Sequence, residues 1–178
     1  MWKKIFTIAL IAVASQVLRP GPMAQEGLCR LLDPEAARRY LPDRVPMETE
    51  VIALDLKSAV AIEFPDKSRI GFALLVNSGL SEEMKRKYQY VLVAETKIRL
   101  ERASLPAGMV GLALEPETAP NAAIRGLIAR DFSGTEIDRI PIKLDSSAQE
   151  ASGVAVAPKG PKEFELRIGK YVAQGAQR

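Results

Sequence analysis

The stretch METEVIALDLKSAVAIEFPDKSRIGFALLVNSG, residues 47–79, decides the fold. In METEVIALDL (47–56) and SAVAIEF (58–64), apolar and polar residues alternate in part, with the two-residue period of a half-buried strand. Lys57-Ser58 and PDKSR (65–69) bound these runs with turn-forming residues. IGFALLVNSG (70–79) is more continuously apolar, as a central strand covered on both faces must be. Three strands in a row, with no long helical segment between them, point away from a βαβ fold.

Reading on toward the C-terminus, SEEMKRKYQ is the one clear helical turn, near 81–88. Ser81 is placed to cap it, Glu82 and Glu83 lie at its positive end, and Lys85, Arg86 and Lys87 at its negative end. The pairs Glu82–Arg86 and Glu83–Lys87 have helical i, i+4 spacing. The basic triplet is therefore accounted for by helix electrostatics and predicts no nucleic-acid or lipid contact. YQYVLVAETKIRLERASL then reads as extended, with Lys97, Arg99 and Glu101 on one face and Ile98 and Leu100 on the other. LPAG (105–108) makes a turn and MVGLALEP returns as a strand, followed by the loop ETAPN. AAIRGLIARD and TEIDRIPIKL flank FSG, a three-residue hairpin with Gly134 at its left-handed position. DSSAQEASG is a polar loop, VAVAPKGPKEFELRIGKYVA supplies two closing strands, and residues 174–178 are expected to fray. The expected class is mostly β: an antiparallel sandwich or barrel of about 8–9 strands, forming one β domain over 47–173.

Upstream, residues 25–46 read as a helical entry segment. In LLDPEAARRYLP, Asp33 caps, Pro34 fits the first turn, and Pro42 and Pro46 stop the helix. Before it, MWKKIFTIALIAVASQVLRPGPMAQ has two lysines, an apolar run from Ile5 to Ala14, and Pro20-Gly21-Pro22. The run is shorter than the ~20 apolar residues that a membrane-spanning helix needs. Residues 1–24 are expected to be a secretory signal, cut between Ala24 and Gln25, with a cut after Ala14 as the alternative. Localisation follows: exported, periplasmic or extracellular, with no transmembrane span after processing.

The leader contributes Lys3, Lys4 and Arg19 and no acid. Removing it leaves 22 basic and 22 acidic residues in a chain of about 154. The basic isoelectric point is thus the leader's property and gives no ground for nucleic-acid binding. Cys29 is the sole cysteine, so no intrachain disulfide forms. Glu26, Gly27 and Leu28 before it do not make a lipidation site. A lone exported thiol either packs as a small hydrophobe or links two chains, so a dimer through Cys29 is one expectation.

The chain contains no histidine, which excludes Ser-His-Asp and Cys-His catalysis and His-ligated metals. No cofactor is implied, and G-x-S-x-G, P-loop and dinucleotide-binding patterns are absent. What remains is carboxylate chemistry. Asp131, Glu136 and Asp138 at the FSG hairpin are the candidate acid–base or Ca2+ ligands, set against the ordinary role of aspartate in capping its own turn. Tyr88, Tyr90 and Tyr171 are candidates for a sugar-stacking platform, set against ordinary half-buried sheet tyrosines.

KYQ (87–89), LPAGMVGLAL (105–114) and the terminal FELRIGKYVA (164–173) together resemble a layout of small exported soil-bacterial β-rich proteins of unknown function. There a PAG turn joins a strand pair and an LRxGKY-like strand closes the chain. This chain departs from that pattern at Val110, where an aromatic is usual, and in its DSSAQEASG loop. The resemblance implies export and a β-rich domain and supplies no catalytic residue. The resulting expectation is an exported noncatalytic β-domain that binds or scaffolds an envelope or extracellular partner. The alternatives are a barrel carrying an apolar small molecule, lined by IGFALLVNSG and MVGLALEP, and a carboxylate hydrolase.

Overall fold

The computed structural model describes residues 27–116, 124–146 and 153–178. The leader with its Ala24–Gln25 junction, the ETAPN loop and most of DSSAQEASG lie outside them. In chain order the elements begin with β1 (Arg30–Leu31), α1 (Pro34–Tyr40), β2 (Arg44–Met47), β3 (Glu50–Glu63), β4 (Arg69–Leu75) and α2 (Glu82–Lys87). Then come β5 (Tyr90–Ala94), β6 (Ile98–Leu100), β7 (Ala103–Leu105), β8 (Gly108–Leu114) and β9 (Ile124–Arg130). β10 (Glu136–Leu144), β11 (Val154–Pro158), β12 (Glu163–Ile168) and β13 (Tyr171–Gln177) complete the chain.

The strand order is β1-β3-β4-β5-β8-β9-β10-β13-β12-β11, every pairing antiparallel. β11 comes round to pack beside β3 and β1, so the sheet is nearly closed on itself as a barrel. That seam has no strand ladder among the described residues; the Cys29 N–H donating to the Gly160 carbonyl at 3.1 Å stitches one end of it. A short hairpin, β6–β7, fills the opposite wall. β10 meets β13 only at Lys143 and Leu144, and beyond that point β6 takes its place beside β13. The β6–β7 turn is tied down there, Glu101 Oε1 accepting from the Gln174 N–H at 2.8 Å.

The nine longer strands account for the expected sandwich or barrel. β1, β2, β6 and β7 add two to four residues each, too short for a two-residue period to be recognised. Four stretches differ from the sequence expectation. METEVIALDL and SAVAIEF, read as two strands parted at Lys57-Ser58, form the single strand β3, which passes the interruption by a register shift between Asp55 and Val60. YQYVLVAETKIRLERASL, read as one extended run, is broken into β5, β6 and β7. The entry segment does hold α1, whose Asp33 cap accepts from Glu35 and Ala36 N–H at 3.0 and 2.8 Å, but β1 and β2 bracket it. Residues 174–177 do not fray: they continue β13, paired with β12 on one side and β6 on the other. Gly175 makes this fit possible, because the Phe164 ring lies against its backbone where a side chain would stand.

Two apolar layers hold the molecule together. The inner one fills the barrel with Phe64, Phe72, Phe164, Ile70, Leu92, Val110, Leu112, Ile140 and their neighbours. Phe164 stacks at a tilt on both Phe64 and Phe72, with ring centroids 6.3 Å apart in each pair. The outer layer covers β3, β4 and β5 from outside, through Ala37 and Leu41 of the α1 region, Val45 and Met47 of β2, and Met84 and Tyr88 of the α2 region. β4 is thus buried on both faces, Phe72 pointing into one layer and Ala73 into the other. This is the physical origin of the continuous apolar run in IGFALLV.

Candidate functional site: the groove at the barrel seam

The hairpin acids come first, being the sequence's only candidates for chemistry. Asp131 Oδ1 accepts from the Ser133 N–H, the Ser133 hydroxyl and the Thr135 N–H at 2.9, 2.7 and 3.0 Å. The Ser133 hydroxyl is the main reason its carboxyl sits below the ordinary aspartate value, so Asp131 is held ionised in its own turn. Gly134 takes φ 92°, the left-handed conformation the FSG spacing requires. Glu136 is paired with Arg130 and Arg139 at 3.7 and 3.6 Å, and Asp138 Oδ1 accepts from the Arg139 N–H at 2.7 Å. The β9–β10 register shifts between Glu136 and Asp138, so these two do not follow simple alternation. Each acid serves its neighbouring backbone or an arginine. Among the described residues, no group of three or more Cys, Asp and Glu is placed to hold a metal ion.

The tyrosines are dispersed between the layers. Tyr88 is fully buried in the outer layer, its hydroxyl donating to Glu48 Oε1 at 3.0 Å. Tyr90 and Tyr171 belong to the inner layer, Tyr90 half-buried and Tyr171 only 2% exposed. Tyr88 ends α2 rather than starting β5, so the expected two-residue relation with Tyr90 does not apply. The three do not form one exposed platform.

The expectation of a dimer through Cys29 is overturned. Cys29 is 4% exposed and packs in the inner core, its thiol donating to the Glu163 carbonyl at 3.2 Å. Burial pushes that thiol's pKa up, which further depletes the reactive thiolate. Its role is to seal the seam.

Beside Cys29 the structure opens into a groove of about 830 Å³, whose lining includes Leu28, Arg30, Leu31, Pro65, Lys67 and Pro158. Leu28 and Leu31 are 40% and 50% exposed and lie together in this lining. Glu63, itself 8% exposed, stands at the groove's base. It pairs with Arg30, Lys67 and Arg69 at 3.4, 3.3 and 3.3 Å. Burial alone would raise its carboxyl pKa; hydrogen bonds from Lys67 and Arg69 and the charge of Arg30 outweigh that and hold it below the usual glutamate value. Two of these cations, Arg30 and Lys67, line the groove with Glu63, so its charged lining is net positive by one. Sequence reading missed this place, because its residues come from three separated segments. The signal that could have revealed it is Glu63 itself, an acid inside the apolar run AIEF with Lys67 and Arg69 close behind.

The carrier alternative fares differently. Ile70 and Phe72 from one proposed lining, and Val110 and Leu112 from the other, are 0% exposed and packed against each other's neighbours in the inner core. Those segments fill the barrel with side chains. Among the described residues, no helix is long and apolar enough to cross a membrane. Comparison with protein-family models, with curated proteins and with solved structures finds no match to this chain.

Proposed function

We propose that this protein is an exported, noncatalytic β-barrel domain that binds an envelope or extracellular partner through the groove at its seam. The observation that carries the reading is the pairing of exposed Leu28 and Leu31 with the cationic rim of Arg30 and Lys67 in one recess. Such a surface suits a partner segment that presents apolar side chains next to an acidic one. The leader is a poor occupant by charge, since its only charged residues are Lys3, Lys4 and Arg19. A structural use for every hairpin acid supports the noncatalytic half of the proposal.

A photo-crosslinking residue introduced at Leu31, and separately at exposed Ala155 on the opposite side of β11, tests it in the producing cell. The expected result is a discrete adduct from position 31, lost when Arg30 and Lys67 are both changed to Glu, and none from position 155. Equal labelling from both positions overturns the groove assignment. Intact mass of material from the exported fraction checks the other half, with residues 1–24 expected to be missing.

A further inference from the structure

Ten strands lie along the path from β1 to β11 and every neighbour is antiparallel, so β1 and β11 run in opposite directions across the seam. The hydrogen bonds on either side show which backbone groups face it. Beside β1, the Leu32 N–H donates to the Ala61 carbonyl at 2.9 Å, while the Cys29 N–H points the other way, to Gly160. Arg30 and Leu32 therefore face β3, and Cys29 and Leu31 face the seam. Around β11, the Gly153 carbonyl accepts from the Gly169 N–H at 3.0 Å and the Lys159 N–H donates to the Glu163 carbonyl at 2.9 Å. Residues 153, 155, 157 and 159 thus face β12, which leaves Val154, Val156 and Pro158 facing the seam.

An antiparallel ladder continued from the Cys29–Gly160 bond sets Leu31 opposite Pro158. That rung cannot close, because proline has no N–H to give to the Leu31 carbonyl. Among the described residues neither the N–H nor the carbonyl of Leu31 has a hydrogen-bond partner. Leu31 is half exposed, and it lines the groove together with Pro158. Pro158 thus stops the seam from zipping after one bond, and the groove opens beside it. An edge with a free donor and acceptor next to a recess is a template for an added strand. Its two faces differ: Arg30 stands on one with Glu63 in register, and Leu31 on the other. A segment laid along this edge meets a cation and a leucine in turn, and is matched by alternating acidic and apolar residues.

We propose, resting on the seam groove as the binding surface, that the partner binds as an extended peptide added as a strand to the free edge of β1. Pro158 keeps β11 from taking that place, and the added segment alternates acidic with apolar residues. The test titrates the purified chain with end-blocked synthetic peptides, read by calorimetry and by amide hydrogen exchange. The probes are Thr-Leu-Glu-Leu-Glu-Leu-Thr, its block form Thr-Leu-Leu-Leu-Glu-Glu-Thr, and the alternating peptide N-methylated at its leucines or at its glutamates. In the free protein the Leu31 amide is expected to exchange much faster than the Leu32 amide, which is bonded to Ala61. The alternating peptide is expected to bind and to slow Leu31 exchange about tenfold or more. The block form is expected to bind about tenfold more weakly, as is one of the two methylated forms, through loss of a hydrogen bond. Sensitivity at the leucines assigns a strand antiparallel to β1, and sensitivity at the glutamates a parallel one. Pro158→Ala returns the missing N–H, and is expected to slow Leu31 exchange without peptide and to weaken peptide binding about tenfold. Binding that leaves Leu31 exchange unchanged, or that ignores methylation on both edges, overturns strand addition and leaves the groove as a binding surface. No binding at millimolar peptide overturns it as well, while the groove itself stands or falls with the adduct from position 31. A Pro158→Ala protein that binds peptide like the parent overturns the part given to Pro158.

Discussion

The barrel has two kinds of wall. On one side β3, β4 and β5 are covered by α1, β2 and α2, so both faces of the sheet are apolar and dry. On the other, β10, β12 and β13 bury one face and leave the other to water and ion pairs, as in Arg167–Asp145 at 2.8 Å and Lys159–Glu165 at 3.1 Å. The covered wall is written in near-continuous apolar sequence and the bare wall in alternation, FELRI against IGFALL. Their tolerance of change should differ in the same way.

The strongest way to break the comparison is to put one charge on the outer face of each wall. Ala73→Asp buries a carboxylate among the apolar side chains of the outer layer, and is expected to cost more than about 4 kcal/mol, a large share of a domain's stability. Val172→Asp lies between Arg167 and Lys143 in register, half-exposed, and is expected to change stability by less than about 1 kcal/mol. Urea melts of both measure it. Equal losses would mean that the outer layer is decoration.

Next come changes to the cover itself. Tyr88→Ala removes the largest fully buried side chain of the outer layer and is expected to cost about 3–5 kcal/mol. Tyr88→Phe, which loses only the bond to Glu48, is expected to cost about 1 kcal/mol. Gly111→Ala lies between: its Cβ would collide with the Tyr88 ring, forcing the cover outward at a cost of about 1–3 kcal/mol. Should the alanine variant at 111 melt like the parent, Tyr88 has room that the packing here denies it.

Both walls were legible in the sequence, because burial on one or two faces leaves a period in the residues. The caps were legible too, since Asp33 and Ser81 act through their own neighbours: Ser81 Oγ accepts from the Met84 N–H at 3.2 Å. Helix pairing was half legible. Glu83 does meet Lys87 at 2.7 Å, but Glu82 pairs with Lys85 three residues on instead of Arg86. What could not be read was anything assembled from a distance. Ordering the tail depends on Gln174 meeting Glu101, 73 positions away in the chain. The burial of Cys29 depends on Glu163 and Gly160, and the seam groove on segments from both ends of the barrel. Local pattern carries faces and caps; closure of a barrel is decided by partners that no window of sequence contains.

The smallest effect, and the one that sharpens the contrast between seam and wall, is the pH response of Glu63. Its carboxyl lies below the unfolded value of about 4.5 once folded, so it favours the folded state while ionised. That contribution is fully present above pH 4.5 and fades as pH falls through the lower folded value. Glu63→Gln removes it at every pH, so the stability gap between parent and variant should be constant near neutrality and shrink below pH 4.5. Glu165 on the bare wall, also held low against its own burial by Lys159 and Gln174, should show the same sign. The two differ in what surrounds them, for Glu63 is the lone acid among three cations while Glu165 has Lys159 and Arg167. Raising salt should therefore erode the Glu165 gap at least as fast as the Glu63 gap, because the side chain at 63 is 9% exposed and that at 165 is 18% exposed. Parallel acid melts at low and high salt measure both gaps, and a Glu63 gap that stays flat through pH 4.5 would show that its three cations act by packing alone.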